Sequence, residues 1–220
     1  MDETEKRLEI QRQNQVVLRR AFNELQDKVV KALHSRESMA RTNAIVSEPL
    51  HLTDRFGNMD EYRLKLDRMK LTTVAPDILL DLLNSNGESI VAAEFIVNGP
   101  HQIEGTKEQG VQYDSSLHIH QESLGGVGIG SVIFEERESL LLRIWKELSD
   151  SSNFDYLRLV TDDHSEPQGW TSKQALTHGY NRIEDANENL HDLPHFEKYV
   201  PLKERRRGSL FGGIFRRKKD

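Results

Sequence analysis

From residue 3 to residue 36 the chain contains neither glycine nor proline, and Leu18, Phe22, Leu25, Val29 and Ala32 recur at steps of four and three. That is the helical period, and it predicts one helix with an apolar stripe along its C-terminal half. Extended backwards, the same seam meets Gln15, Gln11 and Leu8, so the first half is polar. About two apolar heptads are marginal for a self-standing coiled coil. The stripe either packs on the chain's own domain or meets a protein partner or a second copy through Leu18, Phe22, Leu25 and Val29.

The period then changes. Tyr62, Leu64 and Leu66 alternate with Arg63, Lys65 and Asp67, which predicts a strand. Two apolar runs flank Asn86-Gly87, and that dipeptide predicts a hairpin over 77–97. Residues 101–114 are polar and read as a loop. Residues 116–121 and 127–134 read as two further strands, joined through Leu124-Gly125-Gly126. Over 138–149 the period is helical again, with Leu140, Leu141, Ile144, Trp145 and Leu148 on one face, and 154–161 reads as a last strand. Consecutive strands, then a helix, then a strand predict an α+β fold: a long N-terminal helix, a mainly antiparallel sheet with one packed amphipathic helix, and a poorly ordered C-terminal segment. The divisions are residues 1–37 for the helix, 40–163 for the α+β domain, 164–202 for a loosely ordered acidic segment docked by Trp170, Tyr180, Phe196 and Tyr199, and 203–220 for a basic tail.

Composition adds an asymmetry. Hydrophobic residues are 36%, charged residues 30% and mean hydropathy −0.66, which places part of the chain outside any core. The net charge is −6, but residues 203–220 hold eight Lys or Arg against two Asp or Glu, so the preceding 202 residues carry −12. An acidic body does not hold nucleic acid by its general field. There is no cysteine, which excludes disulfides, thiolate nucleophiles and thiolate metal sites. The opening MDETEKRLEIQRQ has no apolar leader stretch and no run reaches the length of a spanning helix, so cytoplasmic residence is expected.

In the tail, Leu210, Phe211, Ile214 and Phe215 would share one helical face, bordered by Arg205, Arg206, Arg207, Arg216, Arg217, Lys218 and Lys219. Such a face suits an anionic membrane surface, at about 1 kcal/mol per cation. Gly212 and Gly213 weaken the helix, so it would order on contact. In composition the tail resembles the short C-terminal membrane-targeting helices of some bacterial cell-division proteins. Arg205-Arg206-Arg207-Gly208-Ser209 fits the pattern favoured by cAMP-dependent-type kinases, and a phosphate on Ser209 would oppose anionic-surface binding. The alternatives are a solvated tail and non-specific nucleic-acid binding.

Three constellations bear on chemistry. His118 and His120 share one face of a strand, and Glu122 continues it, which is a candidate divalent-metal set; the bland alternative is two histidines on a solvent face. Gly125-Gly126-Val127-Gly128-Ile129-Gly130-Ser131 is glycine-rich but matches no phosphate-loop pattern. Its run into Val132-Ile133 reads as a strand with close backbone packing. Glu135, Glu136 and Glu138, and Asp162-Asp163-His164, are acidic groups at element ends. No constellation dictates a reaction. The expectation is a non-enzymatic adaptor without a cofactor, using its N-terminal helix for a partner and its tail for an anionic surface. A metal-dependent enzyme built on His118 and His120 is the alternative.

Overall fold

The computed structural model describes residues 2–34, 44–67, 76–148, 154–163, 169–183 and 194–202. In chain order the elements are α1 (Glu3–His34), β1 (Ile45–Val46), β2 (Leu50–Thr53), β3 (Met59–Asp67), β4 (Ile78–Asn84), β5 (Ser89–Gln102) and β6 (Gln109–Ile119). There follow a 3-10 turn (Glu122–Leu124), α2 (Ile129–Leu148), β7 (Tyr156–Asp162), α3 (Trp170–Thr177), β8 (Asn181–Arg182) and β9 (His195–Pro201). The strands form one sheet in the order β1-β3-β4-β5-β6-β7-β9-β8, with β2 also paired to β3. Of the pairs described, β6 with β7 is parallel and the rest antiparallel. The fold is α+β, as the periodicity predicts. The tail residues Arg205, Arg206, Arg207, Ser209, Leu210, Phe211, Ile214, Phe215, Arg216, Arg217, Lys218 and Lys219 lie outside the described residues.

α1 begins with a reciprocal cap. The Glu5 N–H donates to Asp2 Oδ1 (2.7 Å) and the Asp2 N–H donates to Glu5 Oε2 (3.1 Å). This pairs amides that the first helical turn leaves open. Leu18, Phe22, Leu25 and Val29 are fully buried, but in the chain's own core, where α1 packs along α2 and over β2. The expected partner helix is therefore corrected: its apolar stripe is already covered. Its buried face also does not run back through Gln15, Gln11 and Leu8. It runs through Asn14 and Ile10. A straight helix of 3.6 residues per turn drifts about 20° per heptad, so a long buried face steps by four more often than a coiled-coil seam does.

Asn14 is a buried polar residue that this face can accommodate because both ends of its amide are used. It donates from Nδ2 to Thr53 O (2.8 Å) and Val127 O (3.3 Å) and accepts from the Thr53 N–H (2.9 Å). One side chain thus joins α1 to an edge strand and to the turn before α2.

The hairpin forms as predicted. Asn84 Oδ1 accepts the N–H groups of Asn86 and Glu88, both at 3.0 Å, and Gly87 takes φ +81°. Two expectations differ. Residues 101–114 are largely strand, because β5 and β6 pair along their whole lengths, from Val91↔Ile119 to Gln102↔Gln109. Residues 127–134 are not a strand but a turn and the start of α2. Val132, Ile133 and Phe134 are all buried. The helix that carries a chain between two parallel strands is enclosed here on several sides, so its apolar run loses the helical period and packing overrides the β-propensity of Val and Ile. Farther on, β8 and β9 join the sheet and α3 packs beside β7 and β8, with Tyr180 and Phe196 in the core.

At the Pro201 end of β9, the rings of His101, Tyr156 and Tyr199 meet at 5.6–5.9 Å between centroids, and His101 Nδ1 lies 2.8 Å from the Tyr156 hydroxyl. Burial lowers the His101 pKa from 6.5; Arg158 acts in the same direction and Glu197 opposes it. A base with a lowered pKa binds fewer protons in the folded chain than in the unfolded one. Acidification below about pH 6.5 therefore favours unfolding.

Two predictions follow from this packing. Asn14→Ala should lower the unfolding free energy by about 2–3 kcal/mol in urea denaturation, since it strands the Thr53 N–H and carbonyl. Exposed Gln13→Ala should stay within about 0.5 kcal/mol. His101→Gln should flatten the fall in stability between about pH 7 and about pH 5, followed by the same titration at both ends of the range.

Candidate functional site: a fork between parallel strands

β6 and β7 pair from Gly110↔Tyr156 to Ser115↔Thr161 and then part. β6 continues to Ile119 against β5 alone, while Asp162 of β7 pairs with His195 of β9. On the side that β7 has left, the backbone of Leu117, His118 and Ile119 has no strand partner among the described residues. An edge of this kind takes water or a ligand.

A cavity of about 480 Å³ lies at the parting. Glu94 and Ile96 of β5 form one wall and Asp114, Ser115, Ser116, Leu117 and His118 of β6 another; Asp162 and Thr171 close it. Strand alternation explains the polar lining. Phe95, Tyr113 and Ser115 face the buried side, so Glu94, Asp114, Ser116 and His118 face the other. The Ser116 hydroxyl donates to Glu94 Oε1 (2.8 Å), and Asn98 Nδ2 to Asp114 Oδ2 (2.8 Å). His195 Nδ1 meets Asp162 Oδ1 at 2.5 Å. Three carboxylates and one imidazole line a cavity without a lysine or arginine among its lining residues.

Straight after β6 comes the glycine turn. Gly126 and Gly128 have φ of +73° and +83° and lie under α1. A Cβ on Gly126 would lie 1.9 Å from Arg7 Nη2, and one on Gly128 2.7 Å from Gln11 Cγ. Arg7 Nε donates to Gly126 O (3.3 Å). Gly130, in the first turn of α2, sits against Ile119 and the Trp170 ring, which a Cβ there would meet at 2.8 and 2.9 Å. The glycines therefore serve two purposes: a left-handed turn, and the close seating of α2's N-terminus between the end of β6 and the start of α3. The first-turn amides of α2, which no helix can pair internally, lie beside the fork. The expectation of a strand with close packing is corrected to a turn at a helix N-terminus. The Val-Ile run had concealed it.

Beneath the fork lies Arg137 of α2, fully buried. Its guanidinium is between the Phe95 and Phe134 rings, 4.9 and 4.4 Å from their centroids. Nη1 donates to the Ser116 carbonyl and Nη2 is 3.5 Å from Ser115 Oγ, while Nε has no hydrogen-bond partner among the described residues. Burial lowers its pKa to about 10, against the pull of Tyr180, Glu138 and Glu94, so it stays charged at neutral pH.

The structure places His118 on the cavity wall. The His118 and His120 rings stack 6.3 Å apart at 12°, but the Glu122 side chain is 94% exposed and 4.0 Å from Arg55. The metal set His118, His120 and Glu122 is not assembled, and no group of three ligands gathers elsewhere among the described residues. Glu135 and Glu136 bind Arg19 of α1 at 2.6 and 2.9 Å, and Glu138 binds Lys198 at 2.5 Å, so these acids tie elements together. Asp163 accepts the Ser172 N–H (2.9 Å) and hydroxyl and caps α3. His164 lies outside the described residues. Sequence reasoning missed Glu94, Asp114, Arg7 and Arg137. The period-two run Asp114-x-Ser116-x-His118 was the available signal, lost by reading 101–114 as a loop.

No protein-family model and no curated protein matches the chain. Solved structures resemble it in shape. An acetyltransferase of the GNAT family from Streptococcus pneumoniae does so with TM-score 0.34 and 14% identity, over 58% of this chain and 67% of that one. A protein from Salmonella typhimurium assigned as an acetyltransferase, solved with its cofactor acetyl-CoA, does so with TM-score 0.34 and 10% identity, over 59% and 66%. The spermidine/spermine N-acetyltransferase SpeG from Vibrio cholerae gives TM-score 0.33 and 10% identity, over 57% and 64%. The chain thus spans about two thirds of their lengths. At these scores the likeness itself assigns no activity. The expected non-enzymatic adaptor is corrected at the helix it was to use: the stripe meant for a partner or coiled coil is buried in the chain's own core, and the structures resembled are described as acetyltransferases, not adaptors. The membrane-surface reading rests on tail residues that lie outside the described ones, and the comparisons lend it no support. No helix among the described residues is long and apolar enough to cross a membrane.

The packing of the turn is testable. Gly128→Ala should cost more than Gly87→Ala, whose φ is similar but whose Cβ would meet nothing within 4 Å. Backbone strain alone is about 1–2 kcal/mol in each. Adding Gln11→Ala to Gly128→Ala should remove part of the excess, leaving the share due to Gln15 at 3.1 Å, read as a double-mutant cycle by urea denaturation.

Proposed function

We propose that the chain transfers an acyl group from a coenzyme A thioester to a cationic amine. The observation that carries this is the β6–β7 fork, with its unpaired strand edge running straight into a glycine turn at a helix N-terminus. A coenzyme A thioester has matching parts: an extended arm with two amides, and a pyrophosphate. The residues present fit them. The backbone groups of Leu117 and Ile119, on the side β7 has left, offer donors and acceptors to the arm. The first-turn amides of α2 suit the phosphates, and Arg7 stands beside the turn. When bound, the group supplies an activated acyl carbon.

The chain's own residues serve the acceptor. Glu94, Asp114 and Asp162 favour a cation in the cavity. An amine attacks only after losing a proton, and His118 is the imidazole on that wall to receive it. Ile96 and Leu117 flank the approach with apolar surface.

The test is calorimetric titration with acetyl-CoA, followed by thiol release in the presence of spermidine and other cationic amines. Acetyl-CoA should bind, and thiol release should depend on the amine. His118→Ala should lower kcat by about 10²–10⁴-fold while leaving acetyl-CoA affinity within about threefold. Arg7→Ala should weaken that affinity and reduce its dependence on salt. A chain that neither binds acetyl-CoA nor releases thiol with any amine would overturn the proposal.

A further inference from the structure

One of the cavity carboxylates is held by a line of side chains that the proposed transfer leaves unassigned. Asp114 accepts from two neutral amides: Asn98 Nδ2 at its Oδ2 (2.8 Å) and Gln112 Nε2 at its Oδ1 (3.2 Å). Gln112 Oε1 in turn accepts from Arg158 Nη1 (2.7 Å). Arg158 Nε and Nη2 both reach Glu197 Oε2, at 2.9 and 2.8 Å. Strand register sets this line. Gln112 lies opposite Arg158 and Val160 opposite Glu197, so Gln112, Asp114, Arg158 and Glu197 share the sheet face turned away from Tyr113 and α2.

A guanidinium only donates and a carboxylate only accepts, so the Gln112 amide fits between Arg158 and Asp114 in one orientation. Glu197 answers the guanidinium from β9, on the far side from Asp114. Asp114 itself meets no cation among the described residues. It is exposed, and the two amides are the donors that set its rotamer. Each of its oxygens thus carries one neutral donor and keeps acceptor capacity for a ligand, with no positive charge set against it.

We infer that Gln112 and Arg158 are positioning residues for the acceptor amine: Arg158 sets the Gln112 amide, and Gln112 holds the Asp114 carboxylate in the cavity while keeping the guanidinium off it. This rests on the cationic acceptor proposed above; it does not need the thioester. Preorganising a carboxylate in this way spares the ligand the ordering of a free side chain.

The experiment compares full-length wild type, Gln112→Glu and Arg158→Met by thermal melting, by calorimetric titration with spermidine and with acetyl-CoA, and by the spermidine KM in thiol release. Both variants make this face more negative, so a general field alone would tighten spermidine binding. Positioning requires the opposite. In Gln112→Glu the new carboxylate accepts from Arg158 but has no donor for Asp114. Spermidine affinity should fall at least about tenfold and KM rise as much, with kcat and acetyl-CoA affinity within about threefold of wild type. Arg158→Met frees the amide to turn and should weaken spermidine binding at least about threefold. Unchanged or tighter spermidine binding in a natively melting Gln112→Glu overturns the positioning of Asp114, and the same result in Arg158→Met removes Arg158 from it. Should Arg158→Met fail to fold, Gln112→Glu decides alone. A wild type that binds spermidine but not acetyl-CoA ends the thioester reading while the calorimetric comparison still decides this one. A wild type that binds acetyl-CoA but not spermidine overturns the positioning and leaves the thioester site standing.

Discussion

A parallel pair of strands that stops pairing part-way leaves one strand with a row of open amides and carbonyls, and much of this molecule is arranged around that row. Past Ser115, β6 has β5 on one side and no strand on the other. A buried edge of this kind is unfavourable unless something answers it. The β7 side of the parting is answered by other elements: Asp162 by His195, and Asp163 by the start of α3. β7 is thereby drawn towards β9 and α3, and away from β6. What remains between them is a slot with a polar floor.

The crossover explains why the glycines stand where they do. A parallel connection must pass over the sheet, and α2 makes that passage by starting hard against the end of β6. A side chain at 130 would collide with Ile119 and Trp170, and one at 126 with Arg7. α1 closes the other side, and the Asn14 amide fastens it to both β2 and the turn. Deleting α1 would therefore expose the core, through its apolar half, and remove the roof of the turn, through its polar half. An N-terminal helix that reads in sequence as an appendage is a structural part of the site.

The legible features were those with an uninterrupted period. The helix of residues 3–34, the hairpin through Asn86-Gly87 and the α+β class all follow from spacing alone. The start of α2 was not legible, because a helix buried on several sides shows Val132-Ile133-Phe134 as a plain apolar run, which strand and helix share. That misreading turned a glycine turn into a strand and hid the candidate site. Asp114 was lost in the same way, as β6 begins in a polar stretch that only its pairing with β5 makes a strand. Arg137 could not be read at all: it stands between Glu136 and Glu138, in what looks like a solvated helical face, and only the packing shows it to be buried.

Charge sets the final constraint on what the slot can accept. The first 202 residues carry −12, and the cavity concentrates that sign in Glu94, Asp114 and Asp162. The cations near the fork are elsewhere. Arg7 is beside the glycine turn and Arg137 is behind Ser116. The site is therefore polarised along β6, with an anion favoured at the turn and a cation at the carboxylates. A wholly anionic ligand would gain at one end and be repelled at the other, and a wholly cationic one would meet the reverse. Two reactants of opposite charge, entering from the two ends and meeting at the parting of the strands, satisfy both.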